Sequence, residues 1–290
     1  MADDDEKLGM GARAGRLKLE WPPTKLWSGL VSHHRDIFVS HVLPKLNTTD
    51  RYFFSKVVDE SRDVLEYAGV NVLGLGVCVT ECSSISTLEL AWNMADCAKH
   101  NQAKFCRQVA LTNKLEFLKW AREVKKCEWD DRTSDIAVFK GNLEMLRYCV
   151  DNGCPLRKDI CVIAAQVGHL DVLKFLIDEK KFEYDVRKVM RSAGYSGNLD
   201  ILKYLIEDKK YNNDNSNIAS FLDAVRSGHL DCVKYFLEEA KIPEAFKTWH
   251  DIADARYFGH HEVLNYLREK DFPEPTEEQY TAFAERRQQQ

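Results

Sequence analysis

The stretch Gly168–Lys181, GHLDVLKFLIDEKK, decides how this chain folds. Close variants of it recur as GNLEMLRYCVDNG from Gly141, GNLDILKYLIEDK from Gly197, GHLDCVKYFLEEA from Gly228 and GHHEVLNYLREKD from Gly259. A sixth version, NKLEFLKWAREVK, starts at Asn113 and lacks the glycine. From 113 to 141 is 28 residues, and the later starts follow at 27, 29, 31 and 31. Recurrence at such a period is the mark of an array of stacked units.

With the Gly (or Asn113) as position zero, apolar residues fall at +2, +4, +5, +8 and +9, the buried side of a helix. Position +7 is aromatic in every copy: Trp120, Tyr148, Phe175, Tyr204, Tyr235 and Tyr266. Position +3 is acidic in all six, and +6 is basic in all but the last, where Asn265 stands. Acid and base three residues apart share a helix face and mark the side that stays wet. Position −4 is alanine in the five glycine-led copies: Ala137, Ala164, Ala193, Ala224 and Ala255. So small a side chain at one register predicts that another backbone passes close by. The unit is therefore expected to be two antiparallel helices, the first closed by a glycine in the left-handed conformation.

The segment Ala164–Ile177, AAQVGHLDVLKFLI, resembles the ankyrin repeat, and the resemblance covers residues 105–290. It implies an all-α, ankyrin-type helical repeat solenoid of about six helix pairs, whose business is binding other proteins. The units lack the family's Thr-Pro-Leu-His opening: the place two before the alanine holds Asp135, Val162, Arg191, Leu222 or Ala253. They are also shorter than the family's usual ~33 residues, so trimmed connecting fingers are expected.

Bulk composition narrows the functional classes. A net charge of −5 argues against a nucleic-acid binder. No apolar run is long enough to span a membrane, and the acidic opening MADDDEKLGM lacks the apolar centre of a secretory signal. Nine cysteines with no Cys-x-x-Cys read as reduced, mostly buried thiols of an intracellular protein, cytoplasmic or nuclear. Cys78/Cys82 and Cys149/Cys154 come nearest to metal-ligand spacing without reaching it, so no metal is expected. Gly74-x-Gly76 lacks the lysine of a phosphate loop, and no cofactor is expected.

Ahead of the array, residues 1–20 read as a charged, disordered tail. Residues 21–69 read as a small helical unit, beginning after Trp21-Pro22-Pro23 and carrying an apolar stripe into Pro44. Thr49 or Asp50 is expected to cap its next helix. Residues 70–104 read as an extended linker, in which Ser86–Trp92 echoes the repeat motif as a degenerate leading copy. The stretch DIFVSHVLPKLNTTDRYFFSKVVDESRDVL, residues 36–65, resembles an F-box motif, matched at Leu46, Asp50, Phe53 and Ser55-Lys56-Val57. That resemblance implies docking to the adaptor subunit of a cullin-type ubiquitin ligase through Ile37, Val39, Val42, Leu43, Phe53 and Phe54. The chain would then be a substrate receptor. Alternatively this unit only caps the solenoid, because an array needs a polar-faced cap at each end, and the chain is a plain scaffold. At the other end Thr276 and Gln279 have capping-box spacing before a closing helix.

Within the array, the connectors after each second helix vary most. Each carries an apolar or aromatic residue among charges: Trp129, Leu156, Phe182 and Tyr184, Tyr211, Ile242, Phe272. Such side chains either anchor their own loop or meet a partner, and rimmed by charge they have the composition of binding hot spots. Lys180, Lys181, Lys209 and Lys210 recur at a shared place and suit an acidic partner segment. An enzyme would need converging catalytic groups. His169, His229 and His260 all stand at +1, where recurrence in register points to structure, and nothing singles out Cys154 as a nucleophile. The chain is expected to recognise proteins without chemistry of its own.

Overall fold

The computed structural model describes residues 34–57, 59–71, 77–94, 101–211 and 213–289. The expectations for residues 1–20, for Trp21-Pro22-Pro23, for Gly74-x-Gly76 and for Cys97 lie outside them. The chain forms two compact units, residues 1–94 and 95–290. Among the described residues every regular element is helical.

In the first unit, α1 (Arg35–Ile37) runs on as a wider π turn, Phe38–Val42, and a 3₁₀ turn, Leu43–Lys45, whose Pro44 ends it. Next come α2 (Thr48–Val57), α3 (Asp59–Tyr67) and, after a 3₁₀ turn at Val79–Glu81, α4 (Ile85–Met94). Phe38, Leu43, Phe54, Val64 and Leu65 make the core, with Val39 and Val42 packed against it. The Phe38 and Phe54 rings stack at 4.9 Å. The cap of α2 is Asn47, not Thr49 or Asp50: the helix starts two residues earlier than a Thr49 cap would place it, so the Asn47 amide oxygen accepts from Asp50 N at 2.8 Å. Thr49 is buried instead, and its backbone and hydroxyl both donate to Glu81 Oε2 at 3.0 and 3.1 Å. Residues 70, 71 and 77–79 of the expected extended linker form no strand.

The second unit is six consecutive helix pairs and a closing helix. The pairs are α5 (Gln102–Leu111) with α6 (Leu115–Lys119), α7 (Asp131–Phe139) with α8 (Leu143–Asp151), and α9 (Ile160–Val167) with α10 (Leu170–Lys174). Then follow α11 (Val186–Ser196) with α12 (Leu199–Lys203), α13 (Asp214–Ser227) with α14 (Leu230–Glu238), and α15 (Trp249–Tyr257) with α16 (His261–Glu269). The last helix is α17 (Glu277–Gln288), opened by the reciprocal capping box of Thr276 and Gln279.

The alanine register is a true seam. Ala137, Ala164, Ala193, Ala224 and Ala255 are each 0% exposed. Each also gives its carbonyl to the amide of position +1, as in Asn198 N to Ala193 O at 2.9 Å and His229 N to Ala224 O at 3.0 Å. That bond closes the first helix around a left-handed glycine, the Schellman arrangement. First helices of neighbouring pairs pack directly on one another. A Cβ on Gly194 would collide with Ser220 O, so this glycine lets α11 approach the backbone of α13.

Second helices end in a way the sequence did not announce. In α6, α10 and α12 the final turn widens into a π turn, Trp120–Val124, Phe175–Glu179 and Tyr204–Asp208. The carbonyl of the +7 aromatic then accepts from +12: Lys125, Lys180 and Lys209 donate to Trp120, Phe175 and Tyr204 at 3.2, 3.0 and 3.0 Å. The following lysine, Lys126, Lys181 or Lys210, takes a left-handed φ of 53–56°. The next amide returns to the helix, Phe182 N to Leu176 O at 2.9 Å and Tyr211 N to Leu205 O at 3.1 Å.

Candidate interaction surface

Two repeat-spanning devices stack the pairs and, by occupying side chains, define what is left for a partner. The first involves position +1. Asn142 donates to Asn113 Oδ1 at 2.9 Å, His169 to Phe139 O at 3.3 Å, Asn198 to Ala165 O at 2.6 Å, His229 to Tyr195 O at 2.9 Å and His260 to Arg226 O at 2.8 Å. The three histidines in register thus tie each pair to the one before it.

The second device is a column of rings on the second helices. The +6 cation of one pair sits over the +7 ring of the next: Lys119 over Tyr148 at 5.7 Å, Arg147 over Phe175 at 4.4 Å, Lys174 over Tyr204 at 5.1 Å and Lys203 over Tyr235 at 5.5 Å. The +12 lysine of the ring's own pair approaches as well, Lys125 at 5.1 Å, Lys180 at 5.5 Å and Lys209 at 5.5 Å. The tyrosine hydroxyls donate back to acids of the previous pair: Tyr148 to Glu123, Tyr204 to Asp178, Tyr235 to Glu207 and Tyr266 to Glu238, at 2.8–3.1 Å. Burial, then the Glu123 hydrogen bond, pushes the Tyr148 hydroxyl up to about 12. The +3 acids stay exposed, as expected, but the +6 cations serve the neighbouring ring instead of a helix-face ion pair.

These devices change how the connectors read. Lys180 pairs with Asp151 at 2.8 Å and Lys209 with Asp178, so both are engaged inside the array and neither is a free cation for a partner. Lys181 and Lys210 are exposed at the left-handed corner. Phe272 is buried, 5% exposed and stacked on Phe221 at 6.1 Å, so it anchors its connector. Trp129 is half-buried, with the Arg122 guanidinium 4.0 Å from its ring centre and Tyr148 against its edge. Leu156, Phe182 and Ile242 are likewise half-buried. Tyr184 donates to the Tyr211 hydroxyl at 3.2 Å. Tyr211 lines a hollow of about 400 Å³ with Asp185, Arg187 and Met190, and is more open to solvent than Trp129, Phe182, Tyr184 or Phe272.

Three exposed apolar side chains share position −2, near the end of the first helices, while Val124, Phe246 and Phe258 are exposed at other positions. Leu111 is 42% exposed, Phe139 60% and Tyr195 61%. The carbonyls of Phe139 and Tyr195 are held by the histidines of the next pair, which fixes the backbone and leaves the side chains outward. A sequence signal was present. In the five glycine-led copies the neighbours at −4 and zero are always Ala and Gly, while −2 varies among Phe139, Gln166, Tyr195, Arg226 and Tyr257.

In the first unit, the residues singled out for ligase docking divide. Leu43 and Phe54 belong to the core, Val39 and Val42 pack against it and Phe53 is half-buried; only Ile37, 53% exposed, is free. Docking through the whole set is therefore not open to this fold, because two of the six hold the unit together. Seven of the eight described cysteines are buried, and none forms a disulfide. Burial pushes the Cys161 and Cys232 thiols up to about 12 and about 11. Cys154 donates to Asp130 O at 3.4 Å. No group of three or more ligating side chains suited to a metal occurs among the described residues. None of the described helices is long and apolar enough to cross a membrane.

No curated protein matches the chain. The family model for ankyrin repeats in three copies matches residues 134–217 and, overlapping them, 162–248. Those residues span the seam, the ring column and the position −2 row from α7 to α14, and with them the chain carries an ankyrin-type helical repeat array.

Proposed function

We propose that the array recognises a protein partner through the face made by its first helices, with Leu111, Phe139 and Tyr195 as apolar anchors. Ankyrin repeats are protein-interaction modules, and the observation that supports this face is an exposed apolar side chain at the same register in three of the six copies. Anchors of this kind carry a large share of binding energy when a partner desolvates them. The connector corner at Lys181, Lys210 and Tyr211, with Tyr184 beside it, forms the neighbouring contact. The role is recognition, with no reaction assigned to the array.

The test compares the wild-type chain with Phe139→Asp/Tyr195→Asp and with the outward control Glu144→Lys, each carrying a photo-crosslinker at position 111. Proteins crosslinked to wild type and control but lost in the double variant support the reading. An unchanged crosslinking pattern overturns it. The finer role of ligase substrate receptor rests on the leader's resemblance to the F-box motif and on the exposure of Ile37. Pull-down of the adaptor subunit by the full chain, abolished by Ile37→Asp, supports it; no adaptor binding leaves a scaffold.

A further inference from the structure

The first helices of the array are not uniformly charged. Toward the C-terminus two of their arginines are matched: Arg191 lies 2.7 Å from Asp223, and Arg226 lies 2.9 Å from Asp254. Toward the N-terminus a groove of about 610 Å³ opens along α5 and α7. Four cations line it against one carboxylate. Arg107 is 3.6 Å from Asp130, and Arg157 is 3.0 Å from Asp159 and 3.3 Å from Asp135. Lys104 and Arg132 are exposed and have no ion pair among the described residues. With Arg107 and Arg157 held by acids, Lys104 and Arg132 are, among the described residues, the two uncompensated cations of the groove.

The floor of the groove is not polar throughout. Leu111 and Ile136 lie in it, Leu111 being the first member of the position −2 row. Two acceptors in the lining, Gln108 Oε1 and Asp135 Oδ1, are buried without a hydrogen-bond partner. Unpaired cations ask for negative charge, and an apolar lining asks for an apolar side chain. An acidic peptide segment supplies both; a phosphate polyanion supplies only the first.

We infer that this groove binds an acidic peptide segment of a partner protein, its carboxylates on Lys104 and Arg132 and an apolar side chain on Leu111 and Ile136. The inference rests on the recognition reading above and adds the partner's chemistry. Arg107 and Arg157 flank the segment while keeping their own acids.

The test is fluorescence anisotropy on the full chain with a labelled peptide of alternating glutamate and leucine. Comparison peptides carry glutamine for glutamate or serine for leucine, and a single-stranded DNA oligomer serves as a plain polyanion. Wild type is expected to bind the glutamate–leucine peptide best. Lys104→Glu/Arg132→Glu should weaken it about tenfold or more, Lys104→Gln/Arg132→Gln less so, and Leu111→Ser measurably, all with unchanged melting. Equal binding by the glutamine peptide, DNA binding as tight as the peptide's, or indifference to both charge variants overturns the inference. So does self-association abolished by the charge reversal, which would give the groove to a second copy. Binding that survives the charge variants but is lost in Phe139→Ser/Tyr195→Ser overturns the groove and leaves protein recognition standing.

Discussion

At the scale of single residues, glycine at position zero answers two constraints at once. Gly197 has a φ of +73°, and a Cβ there would also meet the His229 ring at 2.5 Å. Gly259 has a φ of +76° but open space around it, with no +1 side chain set against it. The two sites therefore separate conformational strain from crowding. Gly259→Ala is expected to cost only the left-handed penalty, about 1 kcal/mol. Gly197→Ala should cost that plus displacement of the histidine that donates to Tyr195 O, about 1–3 kcal/mol more. Urea unfolding of both variants checks the difference, and equal losses would show that the histidine yields freely.

At the scale of the helix, the second-helix ends carry both strain and charge coupling. Lys181 and Lys210 occupy left-handed backbone with φ of 53° and 56°. That region costs a side-chain-bearing residue about 1–2 kcal/mol, part of which glycine returns as unfolded-chain entropy. Lys181→Gly and Lys210→Gly are each expected to stabilise the array by about 0.5–1 kcal/mol, read as a higher urea midpoint at unchanged slope. Loss of stability would mean that these lysines contribute contacts of their own.

The same helix ends set an acid limb. The Lys270 and Tyr266 hydrogen bonds hold the Glu238 carboxyl below its usual value, and the Arg147 guanidinium does so for Glu179. Burial pushes Asp178 up, but the Lys209 and Tyr204 hydrogen bonds outweigh it and leave that carboxyl lowered. The folded chain therefore holds fewer protons than the unfolded chain at these groups. Their stabilisation is full above the ordinary carboxylate range, about 4, and is lost as pH falls below it. Buried Asp251 acts in the opposite sense, because burial raises its carboxyl and folding there favours the protonated form. Glu238→Gln should lower the urea midpoint slightly at about pH 7 and leave it nearly unchanged at about pH 3, so that the decline between them is flatter; an unaltered profile would remove this group from the acid limb.

At the scale of the whole array, stability passes between neighbours, so the ends should open first. The closing helix contributes Arg287, whose guanidinium lies 2.8 Å from Asp254, a carboxylate 2% exposed that also faces Arg226. It also lays Phe283 against Trp249 and Tyr257 at 6.4 and 6.1 Å. Removing residues 277–290 uncovers those rings and takes away one of two cations from a buried acid. Hydrogen exchange should then quicken across Trp249–Glu269 while α9 to α12 keep their protection. Uniform acceleration along the array would mean that it opens as a single cooperative block.

The period of the sequence was enough to determine the helix pairs, the alanine seam, the left-handed glycines and the closing capping box. Each depends on residue types at fixed offsets within one unit, and local backbone geometry reads those offsets directly. What Lys180, Lys209 and Phe272 do was decided only by the tertiary structure, because their partners Asp151, Asp178 and Phe221 stand on other turns of the array. The same holds for the division of the leader's apolar residues between core and surface, and for the groove where Lys104 and Arg132 meet Leu111. A repeating pattern tells each side chain which way to point from its own helix; whether water, a ring or an opposite charge waits there depends on the unit stacked beside it.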